Sequence, residues 1–133
     1  MSRVSLLVFG AAWILTGIYI FLLPNAFYAA VPGLSLMGPF SIHFIRDVAL
    51  AFLASGGAVV WGAWRHDRAV ASAGVAWPGL HALFHVQIWG ARGFPLDHIF
   101  LFDLAAVMAP ALLAIWAAAR LKPTSATGAG ASR

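Results

Sequence analysis

Cysteine is absent from this chain of 133 residues, and its absence excludes several kinds of site. Without thiols the protein forms no disulfide and holds neither a zinc–thiolate site nor a cysteine-ligated iron–sulfur cluster. It also has no cysteine nucleophile. Since disulfides are the usual mark of an oxidising compartment, the composition leaves the redox environment of the protein open.

Charged residues are also scarce, at 9% of the chain against about 25% in a typical soluble domain. The four acidic residues are all aspartate, and eight Lys and Arg residues raise the sequence pI to about 10.8. The basic residues are scattered or stand at the ends of apolar runs, as topology signals do, so they form no patch for nucleic acid. We therefore expect no nucleic-acid partner.

Hydrophobic residues make up 62% of the chain, the mean hydropathy is +0.90, and four long apolar runs can be recognised. Each run is close to the ~20 residues that cross a bilayer. In lipid such a run must be helical, because its backbone groups find no water to bond. A lipid bilayer is therefore the expected environment of this chain.

The sequence predicts an all-α fold, a bundle of four transmembrane helices in antiparallel, up-down order. The predicted helices cover residues 4–23, 42–64, 68–91 and 98–119. Residues 1–120 are expected to form this membrane domain. Residues 121–133 are small, polar and rich in glycine, and are expected to form a disordered cytoplasmic tail.

Capping residues and prolines refine these boundaries. Ser41, Asp67 and Asp97 each stand directly before a predicted helix, where a short polar side chain accepts a free N–H of the first turn. Pro78 and Pro110 fall inside predicted helices. We expect each proline to kink its helix and to leave one carbonyl without its usual partner.

Positively charged residues predict the orientation. Only Arg46 and Arg92 lie toward the outer side, and the other basic residues fall on one inner side: Arg3, Arg65, Arg68, Arg120, Lys122 and Arg133. The positive-inside rule then places both termini in the cytoplasm of a multi-pass protein of the bacterial inner membrane. A cleaved signal peptide is the alternative for the first run, but that run exceeds the usual 7–15 apolar residues.

Six ionisable side chains form the candidate site: His43, Arg46, Asp47, His81, His85 and Asp103. At 1.5 Å per residue, Asp47, His85 and Asp103 each lie roughly 8 Å below the outer surface and share one layer. The inner half of the bundle is apolar. Because a carboxylate inside a membrane is costly unless paired, we predict one outward-facing polar pocket, covered by segment 24–41, with Arg46 as the partner of Asp103.

Two spacings in this set are also those of metal ligands on one helical face. His43 and Asp47 are one helical turn apart, and so are His81 and His85. A site for zinc, iron or manganese would be built from Asp47, His81, His85 and Asp103. Two histidines could instead ligate haem. The competing interpretation is a hydrogen-bonded network that fixes helix packing or binds a small polar or amphipathic ligand.

Aromatic residues surround the outer region of the predicted bundle: Trp77, Trp89, Phe94, Phe100 and Phe102. Such residues are typical of the aromatic belt at a membrane interface. The alternative is that they wall a pocket for an apolar or quinone-like ligand.

The segments "FYAAVPG…GPFSIHFIRDVALAFLASG" and "WPGLHALFHVQIW" carry a family resemblance. Over residues 27–118 the chain resembles small bacterial four-helix inner-membrane proteins that are loosely similar to the DoxX-like families. The resemblance implies a four-helix inner-membrane bundle. It implies neither an activity nor a set of catalytic residues.

Three functions are compatible with these features. The leading hypothesis is a non-catalytic membrane protein whose pocket binds a small ligand or a membrane-protein partner. The second is a membrane-embedded metal-dependent or redox enzyme that uses the same six residues. The third is transport of protons or small solutes, which the apolar inner half disfavours unless a homo-oligomer builds a polar path between chains.

Overall fold

The computed structural model describes residues 2–122, and across these residues every regular element is helical. The α-helices are α1 (Ser2–Leu22), α2 (Pro24–Ala30), α3 (Ile42–Arg65), α4 (Arg68–Gly74), α5 (Ala76–Ala91), α6 (His98–Asp103) and α7 (Ala109–Ala119). A 3₁₀ turn covers Leu34–Leu36 and a π-helical turn covers Leu104–Met108. The all-α prediction is confirmed for this part of the chain.

Three helical stretches are long and apolar enough to cross a membrane: Ser2–Leu22, Ile42–Arg65 and His98–Ala119. They match three of the four predicted helices to within a few residues. The fourth prediction, one helix over 68–91, needs correction because the structure divides it at Val75 into α4 and α5. Neither piece alone has the length of a membrane span.

Pro78 explains the division of this helix. Proline has no N–H to donate to the carbonyl four residues earlier, and its ring crowds that carbonyl, which here belongs to Gly74. The helix therefore breaks one turn before the proline. The break is local, since Val75 N donates to Ala71 O at 3.2 Å and Gly79 N donates to Val75 O at 3.0 Å.

Pro110 has a related effect in the last helix. A π-helical turn, Leu104–Met108, lies between α6 and α7, and Pro110 stands just after it in the first turn of α7. Such single π turns are frequent at functional sites, because the extra residue re-aims the side chains on either side. Asp103 is the last residue before the π turn.

Segment 24–41, the predicted cover of the pocket, begins with a short helix. Pro24 begins α2, a position that suits a residue without an N–H and with a preset φ. The remainder is irregular apart from the 3₁₀ turn. The chain reverses at Gly33, whose φ of 79° lies in the left-handed region that glycine adopts without strain.

The three predicted N-caps are confirmed. Ser41 Oγ accepts from Phe44 N–H at 3.4 Å, and Asp67 Oδ1 accepts from Val70 N–H at 3.1 Å. Asp97 Oδ1 accepts from Phe100 N–H at 3.0 Å. The starts of three helices are therefore encoded by single short polar side chains.

Helices α1 and α3 pack against each other in opposite directions through glycines. A Cβ added at Gly56 would lie 2.6 Å from Gly10 O, and one added at Gly17 would lie 2.8 Å from Ala49 O. The residue numbers rise along α1 as they fall along α3, so the two helices are antiparallel. Small residues are the usual means of close helix packing in lipid, where burial from water cannot drive association.

The second close contact joins α3 to α4. A Cβ at Gly62 would meet Ala71 N at 2.4 Å, and one at Gly74 would meet Val59 N at 2.7 Å. Around this contact lies a core cluster contributed by α1, α3, α4 and α7: Leu6, Trp13, Val59, Ala63, Ala71, Val75, Ala114, Ala117, Ala118 and Leu121. Leu121 was assigned to the predicted tail but is buried in this core, while residues 123–133 lie outside the described residues.

Large apolar side chains remain exposed along the helices, among them Leu15, Trp61 and Leu112 at 53–66% exposure. A water-soluble protein would bury many such groups, whereas a protein in a bilayer leaves them in contact with acyl chains. The exposed surface is thus compatible with lipid contact.

Gly56 and its neighbour Gly57 provide a matched test of the α1–α3 packing. A Cβ at Gly57 would meet nothing within 4 Å. We expect Gly56→Ala to lower the free energy of unfolding by about 1–3 kcal/mol, because the added methyl overpacks the interface. Gly57→Ala should leave stability unchanged or raise it by about 0.5–1 kcal/mol through helix propensity. Unfolding in mixed detergent micelles measures both, and equal effects would contradict this packing.

Candidate functional site

A cavity of about 630 Å³ lies between the later half of α1, the first half of α3, the later half of α5, and α6 with the π turn. Segment 24–41 closes one side of the cavity. Most lining side chains are apolar, for example Val48, Phe52 and Ile88. The polar lining includes His81, His85, Arg92, Asp103 and the hydroxyl residues Thr16, Tyr19, Tyr28 and Ser41.

His85 and Asp103 form the buried polar contact in this cavity. His85 Nδ1 lies 3.0 Å from Asp103 Oδ2, and the two side chains are 17% and 8% exposed. His85 comes from α5, and Asp103 comes from the junction of α6 with the π turn. The predicted proximity of these two residues is therefore observed.

The contact between His85 and Asp103 is close but poorly directed. An N–H on Nδ1 does not point at the carboxylate, so the buried Nδ1 has no aligned hydrogen-bond partner among the described residues. Buried polar atoms are normally satisfied, and an unsatisfied one is costly. The hydrogen-bonding capacity that the pair offers at the cavity wall belongs to its other atoms, since this Nδ1 is buried.

His81 lies beside this pair and is held by aromatic rings. Its imidazole stacks on Trp77 with a centroid distance of 5.0 Å and an interplanar angle of 9°. It meets His85 edge to face at 4.7 Å. Phe52 packs on Trp77 at 4.9 Å. These contacts orient the His81 ring along the cavity wall.

The other three predicted site residues lie elsewhere. His43 Nδ1 is 2.8 Å from Asp47 Oδ2, but these side chains are 87% and 58% exposed. The guanidinium of Arg46 sits 5.2 Å from the ring centroid of Phe21 and outside the cavity lining. The prediction that Arg46 pairs with Asp103 was wrong, because Asp103 is paired with His85. Similar depth did not make Arg46 and Asp103 neighbours, because depth along a helix does not set the direction in which a side chain points.

The predicted metal ligands are not brought together. Among residues 2–122 no group of three or more His, Cys, Asp or Glu side chains is arranged to hold a metal ion. His81, His85 and Asp103 line one cavity, but His81 is turned against Trp77 and Asp47 faces outward beside His43. Zinc, iron or manganese would need at least one further convergent ligand.

Arg92 and Asp97 form an ion pair at the edge of the cavity, between α5 and α6. Only Arg92 of the two lines the cavity. The Phe100 N–H, followed by the Arg92 guanidinium, favours the carboxylate and holds the pKa of Asp97 below its ordinary value. The sequence predicted Asp97 as an N-cap and predicted no partner for Arg92. The five-residue spacing of Arg92 and Asp97 is a signal that could have indicated their ion pair.

Segment 24–41 is fastened over the cavity by specific contacts, as the predicted cover would require. Tyr28 donates its hydroxyl proton to Gly38 O at 2.7 Å and packs edge to face on Phe40 at 5.5 Å. Gly33 approaches Ile99 of α6 so closely that a Cβ would lie 3.0 Å from its side chain. Sequence reasoning missed Tyr28, whose isolated hydroxyl in an uncharged apolar segment was the available signal.

The alternative interpretation, in which the five outer aromatic residues wall a pocket, fits this cavity poorly. Of the five aromatic residues proposed for it, only Phe102 lines the cavity. Trp89 instead stacks on Phe100 at 4.4 Å and donates its indole N–H to Pro95 O at 2.9 Å. These rings brace the turn between α5 and α6, while aliphatic side chains and other aromatics line the cavity.

Comparisons of the chain with protein-family models, with curated proteins and with solved structures gave no match. The resemblance to small DoxX-like membrane proteins therefore stays a prediction.

The two His–Asp pairs of this chain provide a matched test of the buried site. We expect Asp103→Ala to lower the free energy of unfolding by about 1–3 kcal/mol, because it removes the carboxylate that lies 3.0 Å from the buried Nδ1 of His85. Asp47→Ala removes an exposed pair of similar distance and should cost at most about 1 kcal/mol. Detergent-titration unfolding measures both variants. Equal losses would show that burial does not distinguish the two pairs.

Proposed function

We propose that this chain is a four-span protein of the bacterial inner membrane that binds a small, largely apolar ligand in the cavity beneath segment 24–41. Binding rather than catalysis is the proposed role. The observation that carries it is the cavity itself, which joins an apolar wall to one buried His–Asp pair.

Helices α4 and α5 together supply the fourth span of this proposal. With 7 and 16 residues on either side of Val75, they extend roughly 36 Å at 1.5 Å per residue. The hydrocarbon core of a bilayer is about 30 Å thick. The backbone hydrogen bonds that continue across Val75 support a kinked single span in place of two separate helices.

The position of the basic residues supports the proposed orientation. Arg65 and Arg68 stand at the α3–α4 turn, Arg3 lies in the first turn of α1, and Arg120 follows α7. The α1–α3 and α3–α4 contacts bring the first three of these positions toward one end. The cavity is lined from the opposite ends of the helices, so a cytoplasmic basic end places it toward the periplasm.

Size and composition of the cavity support ligand binding. Its volume of about 630 Å³ falls within the 300–1,000 Å³ common for small-molecule sites. Such sites combine apolar walls with a few converging polar groups, which His85 and Asp103 supply here. The enzyme alternative has weaker support because its four predicted metal ligands do not converge.

Cysteine labelling tests the orientation. Because the chain has no cysteine of its own, only the introduced residue can be labelled. Leu96, 79% exposed in the α5–α6 turn, and Ala69, exposed in the first turn of α4, are suitable positions. We expect a membrane-impermeant maleimide to label Leu96→Cys in spheroplasts and to label Ala69→Cys only after lysis. The reverse pattern would overturn the proposed orientation.

Cavity filling tests ligand binding. Ala106 lines the cavity, whereas its neighbour Ala105 does not. We expect the wild-type protein in lipid nanodiscs to bind the neutral fluorophore prodan saturably and at one site, above the signal of empty nanodiscs. Ala106→Phe should weaken this binding because the ring takes up part of the cavity, and Ala105→Phe should leave it unchanged. Absence of saturable binding to the wild type would refute the proposed function.

A further inference from the structure

The charged side chains around the cavity already have partners within the protein. Arg92, the cationic side chain in the lining, is paired with Asp97. Asp103 faces His85, with 3.0 Å between Oδ2 and Nδ1. Arg46, which could have held an anion, lies over the Phe21 ring and outside the lining. An ionic head group would therefore enter the cavity without a free counter-ion, which is costly in an apolar site.

Two polar side chains of segment 24–41 are also engaged. The Tyr28 hydroxyl donates to Gly38 O, and Ser41 Oγ accepts from Phe44 N–H. The hydroxyls of Thr16 and Tyr19 lie on the α1 side of the cavity and carry no charge. The buried ionisable contact in the lining is that of His85 with Asp103, and the imidazole of His81 lies beside it.

The chemistry of that contact defines the head group that completes it. An imidazole N–H offers a donor, and the aspartate oxygens offer acceptors with lone pairs to spare. His85 Nδ1 is buried beside the carboxylate yet unaligned with it. A hydroxyl in the cavity could donate to the carboxylate and accept from Nε2, the imidazole nitrogen that is not buried. An ether oxygen could accept only, and a hydrocarbon could do neither.

Building on the proposed binding function, we propose that the ligand is an uncharged amphipathic alcohol or phenol whose hydroxyl contacts His85 and Asp103. Its apolar body then occupies the part of the cavity lined by Val48, Phe52 and Ile88. At about 30 Å³ for a water-sized group, about 630 Å³ holds roughly 20 such groups. A molecule of the size of dodecanol fits within that limit.

Four probes with one hydrocarbon chain test the head group: dodecanol, methoxydodecane, dodecanoate and dodecyltrimethylammonium. Each competes with prodan for the protein in nanodiscs at about pH 8, where dodecanoate is ionised. We expect dodecanol to bind most tightly, methoxydodecane about two- to tenfold more weakly for one lost hydrogen bond, and both ions at least about tenfold more weakly.

Substitution of His85 locates the head group. His85→Phe should weaken dodecanol and methoxydodecane each about two- to tenfold, because both oxygens accept from the imidazole N–H. His43→Phe, in the exposed pair, should change neither. In ¹⁵N-histidine-labelled protein, dodecanol should shift the ring nitrogen signal that His85→Phe removes and should not shift the signal of His43.

The outcomes separate this inference from the proposed function. Saturable binding of prodan with dodecanoate or dodecyltrimethylammonium as the best competitor would retain a binding protein and overturn the alcohol assignment. Equal loss of all four probes in His85→Phe, without a histidine shift, would likewise overturn the placement of the hydroxyl. If prodan and all four probes fail to bind saturably to the wild type, the proposed function itself is refuted.

Discussion

Gly10 of α1 and Gly56 of α3 bring two helix backbones into van der Waals contact, and the other elements are arranged around that pair. Lipid tails are as apolar as the side chains they touch, so close packing must supply the stabilisation that water supplies elsewhere. The same device joins α3 to α4 at Gly62. The alanine-rich face of α7 completes the core at this end of the bundle.

The opposite end differs because its neighbouring helices carry larger and more polar side chains. Past Pro78, α5 presents His81 and His85 toward the cavity, and it is joined to α6 by Asp103. Segment 24–41 crosses this end and is held by Tyr28. A tightly packed end and an open end therefore coexist in one small bundle, and the buried polar pair lies at the open end.

The two proline-associated distortions place the site. The break at Val75 sets the direction of α5, and the π turn ahead of Pro110 sets the position of Asp103 at the end of α6. In regular, undistorted helices His85 and Asp103 would lie at the same depths, but their side chains would point in other directions. The irregular backbone, whose distortion costs free energy, is thus what orients His85 and Asp103 at the cavity wall.

Three local features of the sequence determined the helical composition, three candidate spans and three helix starts. They are the length of the hydrophobic runs, the capping side chains and the positions of the prolines. Helices, spans and helix starts follow from them because all three depend on local backbone chemistry. Depth along each helix likewise placed His85 and Asp103 at one level. Depth does not determine rotation about the helix axis. Only the tertiary structure decided that Asp47 and Arg46 turn away while Asp103 turns inward, because helix rotation depends on glycine contacts and proline distortions between elements far apart in the sequence.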